Sequence, residues 1–218
     1  LPIYLGMYEP AIAVPPPPNT PWPALTGNHG IALAGYMTQI AAAPGDRLPM
    51  RFYVSDPWFC NSPWLDRWNR KPHDIDLTGA VSRIRPDGSV QAFNDVKFLS
   101  VDTAWGELPE EFPDEVIPHI KRAVALRPDA PPPVLWVYPV AEYHRYAFKE
   151  TARIDEVFAG DLLIQQAINH ALPLSGVVET RVFADLSADD SARFLGSVLV
   201  SPVPLAGGRW AAALAEIG

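Results

Sequence analysis

Proline is the feature that most limits how this chain can fold. It occupies 25 of the 218 positions, about twice the roughly 5% of an average protein. Each proline ring locks φ and removes a backbone N–H donor, so a high proline content disfavours long helices and suits short strands joined by turns. We therefore predict a mainly β fold rather than a helical bundle.

Charge and composition exclude several classes of protein. Hydrophobic residues make up 48% of the chain and charged residues 19%, which rules out disorder throughout. The net charge of −8 argues against nucleic-acid binding, because phosphate contacts require a basic face. The single cysteine, Cys60, excludes an internal disulfide and any multi-cysteine metal site. No apolar run reaches the roughly 18 residues of a membrane span, and no signal-like segment follows Leu1, so no membrane or secreted protein is expected.

Residues 1–24 are predicted to form an extended, proline-rich arm. Residues 15–18 are all proline, and two further prolines flank Trp22. Such a segment favours the polyproline conformation, which has no internal hydrogen bonds. The arm is expected either to contact a neighbouring subunit or domain, or to lie on its own domain, through Pro15, Pro16, Pro17, Pro18 and Trp22.

Residues 25–101 show the pattern of a first β-sandwich. Residues 31–37 are a short apolar run, and residues 48–54 alternate between apolar and other side chains, which is typical of a half-buried strand. Residues 86–89 (Pro-Asp-Gly-Ser) predict a hairpin turn between two strands. Residues 96–100 can extend a further strand of the same sandwich.

Residues 102–150 are predicted to be a connector with one short helix and one strand. Apolar residues between positions 116 and 126 recur at helical spacing, provided that Pro118 lies in the first turn. Pro128 and the three prolines at residues 131–133 follow the helix and stop it. Residues 134–139 (Val-Leu-Trp-Val-Tyr-Pro) indicate a buried strand.

Residues 151–218 are predicted to form a second β-sandwich region. Four runs suggest strands: one after Gly160, then residues 177–184, 194–200 and 209–217. Their spacing of about 10–17 residues is typical of a small sandwich.

The two sandwich regions share a turn-and-strand pattern. Residues 45–48 (Gly-Asp-Arg-Leu) and 160–163 (Gly-Asp-Leu-Leu) each open a strand, and residues 76–80 (Asp-Leu-Thr-Gly-Ala) and 173–177 (Pro-Leu-Ser-Gly-Val) each open a later one. This course resembles the immunoglobulin-like N-terminal domain of phage upper-baseplate and related tail proteins. The resemblance covers about half to two-thirds of the chain, and its motif is short.

That resemblance implies a non-enzymatic structural component of a phage or phage-like particle, without a cofactor. It would be an adaptor in a tail, baseplate, fibre or capsid decoration, located in the virion after assembly in the host cytoplasm. Its expected partners are other particle proteins in a symmetric oligomeric assembly. The low charge agrees with a surface that neighbouring chains cover.

The aromatic segment 55–74 interrupts the first sandwich and is the best candidate for a recognition site. Its side chains combine rings on which sugars can stack with a carboxylate that accepts hydroxyl hydrogen bonds: Trp58, Phe59, Trp64, Asp66 and Trp68. A carbohydrate-binding module is therefore the alternative function. Contact with a partner protein and packing within the chain are the other two interpretations of this loop.

A search for catalytic and metal-binding patterns finds none with a specific spacing. The chain lacks a glycine-rich phosphate loop, a Gly-x-Ser-x-Gly elbow and a His-Glu-x-x-His helix. His73, Asp74 and Asp76 could place an imidazole and two carboxylates at one loop end, which leaves an enzyme with a cleft there as a further alternative. Glu142 and His144 could face the same way at strand spacing, although a surface pair is the simpler interpretation. No catalytic residue, metal site or cofactor is therefore predicted.

Overall fold

The computed structural model describes residues 29–55, 75–76, 79–100, 110–170, 172, 174–186, 190, 192–194 and 196–201. More than twice as many of these residues are helical as lie in strands. The predicted mainly β fold of two immunoglobulin-like sandwiches is therefore wrong, and the described part of the chain has a mixed α/β fold. In chain order its main elements are α1 (His29–Ala42), β1 (Pro49–Ser55), β2 (Ser82–Ile84), β3 (Val90–Ala92), β4 (Asp95–Ser100), α2 (Phe112–Ala125), β5 (Val134–Tyr138), α3 (Val140–Phe148), α4 (Ile154–Asn169), β6 (Leu174–Glu179), α5 (Thr180–Asp185) and β7 (Val198–Val200).

A five-stranded sheet joins distant parts of the chain. Its strands lie in the order β3-β2-β6-β5-β7. Strands β2, β6, β5 and β7 are parallel to their neighbours in this row, and β3 is antiparallel to β2. Neighbouring parallel strands need crossover connections, which helices α3 and α4 provide between β5 and β6.

Strands β1 and β4 form a second, two-stranded parallel sheet, with Met50 opposite Val96. Asn94 is hydrogen-bonded to Leu48 at the start of this strand pair. Its side-chain oxygen accepts from the Leu48 N–H at 3.0 Å, and its backbone N–H donates to the Leu48 carbonyl at 3.1 Å. The strands predicted at residues 48–54 and 96–100 are both confirmed.

The hairpin predicted at residues 86–89 is also confirmed, between β2 and β3. The Arg85 N–H donates to the Ser89 carbonyl at 3.0 Å, and Gly88 takes a φ of 73° that favours glycine. The Asp87 carboxylate accepts hydrogen bonds from the Ser89 hydroxyl at 2.5 Å and the Ser89 N–H at 3.0 Å. Because these bonds stabilise the ionised form, they hold the pKa of Asp87 below its usual value.

Residues 31–37, predicted as a strand, lie inside helix α1. A short apolar run fits a buried strand and a buried helix equally well. Here the segment is rich in alanine, leucine and methionine, which are good helix formers. Residues 33–40 are all buried, so this part of the helix lacks the polar face that would have revealed it in the sequence.

The second predicted sandwich is likewise replaced by helices. The run after Gly160 lies within α4, and residues 177–184 divide into the end of β6 and most of α5. The described residues between 194 and 200 contain the end of a 3₁₀ turn and the short strand β7. Residues 209–217 lie outside the described residues.

The helix predicted in the connector is confirmed as α2, although Pro118 is its seventh residue and not part of the first turn. Proline at this position removes the N–H that would bond to the Asp114 carbonyl. Both residues are exposed, so water can replace the missing donor. The strand predicted at residues 134–139 is confirmed as β5.

Two hydrophobic clusters cover the two faces of the five-stranded sheet. On one face, Trp136 of β5 and Val177 of β6 pack in a cluster with residues of α1, α3 and α4. On the other face, Val137 and Val178 pack with Phe183 of α5. The chain that leaves β5 therefore covers one face, and the chain that leaves β6 covers the other.

Candidate ligand-binding cleft

A cleft of about 640 Å³ lies at the carboxyl edge of the five-stranded sheet. It is bordered by the ends of the parallel strands β2, β5 and β6 and by the segment that follows α1. Strands β5 and β6 are neighbours whose following helices pack on opposite faces. Open α/β sheets form binding crevices at such a point, because the diverging connections leave space between the strand ends.

Arg83 of β2 forms hydrogen bonds to the end of α1 and to the segment that follows it, which form one wall of the cleft. Its guanidinium donates to the carbonyls of Ile40 at 3.1 Å, Gly45 at 2.6 Å and Ala43, and its Nε donates to the Gln91 side chain at 2.8 Å. The Ile40 carbonyl lies in the last turn of α1, where carbonyls lack the usual helical donor, and the Ala43 and Gly45 carbonyls belong to the segment that follows. Burial lowers the pKa of the guanidinium, and the four hydrogen bonds replace the water that it has lost.

Asp46 links the same wall to the β2–β3 hairpin. Its carboxylate accepts a hydrogen bond from Arg85 at 2.6 Å, and its carbonyl accepts one from the Gln91 amide at 2.6 Å. Arg85 also lies 4.0 Å from the Asp87 carboxylate. The charges of Arg85 and Asp46 are therefore paired with each other on this side of the cleft.

Glu179 ends the central strand β6 and caps helix α5. One carboxylate oxygen accepts from the backbone N–H groups of Arg181 at 2.8 Å and Val182 at 3.3 Å. The other accepts from the Thr180 hydroxyl at 3.0 Å. Since the first N–H groups of a helix lack partners within it, this side chain fixes how α5 departs from the sheet and where Arg181 stands.

We expect Glu179→Ala to lower the free energy of unfolding by about 1 kcal/mol, the usual effect of losing a helix N-cap. Urea denaturation followed by circular dichroism measures the change. Glu110→Ala is the matched control, because Glu110 is exposed and precedes α2. Equal stability of the two variants would show that the cap contributes nothing.

A smaller recess of about 410 Å³ adjoins the cleft, and Ala141, His144 and Arg181 line both. Its other lining residues come from the same side of α3 and the turn that follows: Glu142, Arg145, Phe148 and Lys149. The His144 ring stacks edge-on against Phe148, with ring centres 6.0 Å apart. Cleft and recess together therefore form one continuous concave surface with polar side chains along it.

The cations that line the recess differ in whether a described acidic side chain is paired with them. Arg145 is paired with Glu150 at 3.2 Å. Within the part of the chain that the structure describes, the guanidinium of Arg181 and the ammonium of Lys149 have no hydrogen-bond or ion-pair partner. Two positive charges in this recess are therefore not neutralised by described side chains.

Most residues predicted as a site lie outside the described residues. This holds for the aromatic loop (Trp58, Phe59, Trp64, Asp66 and Trp68), for the arm (Pro15, Pro16, Pro17, Pro18 and Trp22), and for His73 and Asp74. The carbohydrate-binding interpretation of the aromatic loop therefore stays a prediction.

Asp76 is described, and it binds two side chains of α2. Its carboxylate lies 2.9 Å from His119 Nδ1 and accepts from Arg122 at 3.1 Å. Both His119 and Asp76 are largely shielded from solvent. Asp76 therefore attaches its short helical segment to α2 and does not line the cleft.

The strand spacing expected for Glu142 and His144 is wrong, because both residues lie on helix α3. Residues two apart on a helix do not face the same way, yet both border the recess.

Sequence reasoning missed Arg181 and Lys149. The signal for Arg181 was its place directly after a buried strand, which becomes informative once the strand is known to be parallel.

Among the described residues, no three histidine, cysteine, aspartate or glutamate side chains come close enough together to hold a metal ion. The described helices include none with both the length and the apolar character needed to cross a bilayer. Comparison of the chain with protein-family models, curated proteins and solved structures finds no match.

Proposed function

We propose that this protein binds a small polar molecule in the cleft at the carboxyl edge of its five-stranded sheet. The observation that carries the proposal is the position of the cleft, between neighbouring parallel strands whose helices depart to opposite faces. The volume of about 640 Å³ lies within the range of about 300–1,000 Å³ that small-molecule sites occupy.

The lining chemistry supports a polar ligand. Backbone and side-chain groups of the 43–46 segment, His144, Glu179 and Arg181 border the space together with apolar residues such as Ile84 and Val140. Small-molecule sites combine apolar walls with a few converging polar groups in this manner.

A steric block tests the proposal. A thermal-shift screen with the unaltered protein first identifies small polar molecules that bind. We expect Ala141→Trp to fill the space between the end of β5 and Arg181 and to abolish the binding of these molecules. Ala159→Trp is the matched control, because Ala159 is an exposed residue of helix α4 that does not line the cleft. Circular dichroism verifies that both variants fold.

A second block from the opposite wall protects the test against a folding defect. Ala42→Trp, at the end of α1, enters the same cleft and should have the same effect. Ligands that bind both blocked variants as tightly as the unaltered protein would contradict the proposal. So would a screen in which no small molecule binds.

The particle-adaptor role expected from the resemblance stays a prediction. The two sandwiches on which it was based are not the fold of the described residues. One feature that favours contact with another protein is a group of exposed apolar side chains on α4: Phe158, Leu162 and Leu163. Mass spectrometry of gradient-purified particles from the source checks this role. Stoichiometric co-purification would support it, and absence of the chain from particles would contradict it.

A further inference from the structure

The recess beside the cleft is positively charged although the chain as a whole is negative. Its lining residues include three cations, Arg145, Lys149 and Arg181, and one acid, Glu142. With His144 taken as neutral, the lining has a formal charge of +2, or +1 when the Glu150 partner of Arg145 is included. The chain carries a net charge of −8, so the charge of the recess is opposite in sign to the net charge of the chain.

Two of these cations are available to a ligand. Arg181 and Lys149 lack described partners, whereas Arg145 is paired. A guanidinium offers parallel N–H donors that match the oxygens of a carboxylate or phosphate. An ammonium on a flexible stem adds a second, less directional charge.

Arg181 is also held at a defined place. Its backbone N–H is bonded to the Glu179 carboxylate at 2.8 Å, which ties its main chain to the end of the central strand. Its side chain lines both the cleft and the recess. A ligand in the cleft can therefore reach Arg181 with one end and extend that end toward Lys149.

We propose that the ligand of this protein carries an oxyanion group, a phosphate or a carboxylate, and that this group binds in the recess between Arg181 and Lys149. The inference rests on the proposed function, because the remainder of the ligand occupies the cleft. Glu142, in the same recess, disfavours a ligand that is negatively charged throughout and instead suits a neutral hydroxyl or amine next to the oxyanion.

Calorimetric titration tests the inference with inorganic phosphate and pyrophosphate in one arm and succinate in the other. Ionic strength is held near 0.1 M, because salt screens exposed charges. We expect Arg181→Gln to weaken binding of the preferred anion about fivefold, and Lys149→Gln to weaken it by a smaller factor, because both side chains are exposed and exposed charge pairs contribute about 1 kcal/mol or less. The arm with the tighter anion identifies the oxyanion class.

Two charge-matched controls accompany these variants. Arg127→Gln and Lys121→Gln remove the same charges from exposed positions that line neither cavity, and they should leave anion binding unchanged. Equal weakening by the control variants would attribute the effect to net charge and overturn the inference. Failure of all three anions to bind would overturn it as well.

The outcome is separable from that of the proposed function. If neutral molecules bind the unaltered protein and Ala141→Trp abolishes their binding, the cleft is a ligand site whatever the anions do. In that case anion binding that is absent, or indifferent to Arg181→Gln, overturns the oxyanion inference alone.

Discussion

Replacing Arg83 by methionine is expected to lower the free energy of unfolding by about 3 kcal/mol. Methionine keeps much of the apolar stem but donates no hydrogen bond, so the carbonyls of Ile40, Ala43 and Gly45 lose a donor together. A buried acceptor left without a partner costs about 1–3 kcal/mol. The Ile40 carbonyl keeps the Ala43 N–H as a donor at 3.4 Å, so it loses one bond of about 1 kcal/mol and is not left without a partner. The bonds to Ala43 and Gly45 are partly buried, which keeps their costs near the lower end.

Arg85 offers a close control, two residues further along the chain. It forms an exposed ion pair with Asp46, and exposed pairs contribute about 1 kcal/mol or less. Urea denaturation of Arg83→Met and Arg85→Met measures both values under one protocol. A loss below about 1 kcal/mol for Arg83→Met would show that the end of α1 does not depend on this guanidinium.

The second large effect is expected at Gly176, in the central strand β6. A methyl group there would lie 2.3 Å from Pro132 Cγ and 2.9 Å from Pro132 Cδ. A proline ring is stiff and cannot rotate away, so the strand or the segment before β5 must shift. We expect Gly176→Ala to lower the free energy of unfolding by about 2–3 kcal/mol, as for other overpacked core positions.

A double-mutant cycle separates this contact from any general intolerance of β6. Pro132→Ala removes the ring that the new methyl group would meet. In the Pro132→Ala background, Gly176→Ala should therefore cost less than about 1 kcal/mol. An undiminished cost in that background would mean that the Pro132 ring is not what makes Gly176→Ala destabilising.

Local turn and strand chemistry could be predicted from the sequence. The hairpin at residues 86–89 follows from proline, aspartate and glycine at consecutive turn positions, and β1 follows from alternation over residues 48–54. Strand β5 was evident as an apolar run rich in valine and aromatic residues, ended by Pro139. In each case the deciding interactions lie within a few residues of the chain.

The helices α1 and α4 could not be predicted in the same way. Residues 33–40 of α1 are all buried, and a buried helix shows neither alternation nor an amphipathic stripe. In α4 the exposed side carries apolar residues as well, namely Phe158, Leu162 and Leu163, so no polar face marks it in the sequence. The high proline content also led to a wrong fold class, because most of the described prolines lie outside the helices, and Pro118 is tolerated inside α2 at an exposed position. Composition therefore predicted the fold class wrongly even though several strands were placed correctly.

The cleft could not be predicted without the strand order. Arg83, His144 and Arg181 are far apart in sequence, and parallel pairing of β2, β6 and β5 brings them to one edge. Parallel pairing depends on contacts between segments that lie tens of residues apart along the chain, which leave no local pattern. Glu142 and His144 were visible as candidates, but their role as part of a recess depends on the helix that places them there.

The most direct test of the account is an amide NMR map of the unaltered, isotope-labelled protein titrated with pyrophosphate. We expect shift changes to concentrate in residues 140–149 and 179–182, which border the cleft and the recess, and to saturate with added ligand. Saturating changes elsewhere, for instance along α2, or no changes at all would contradict this expectation. Either of those results, if a titration with succinate repeats it, would remove the recess between Arg181 and Lys149 as an oxyanion site.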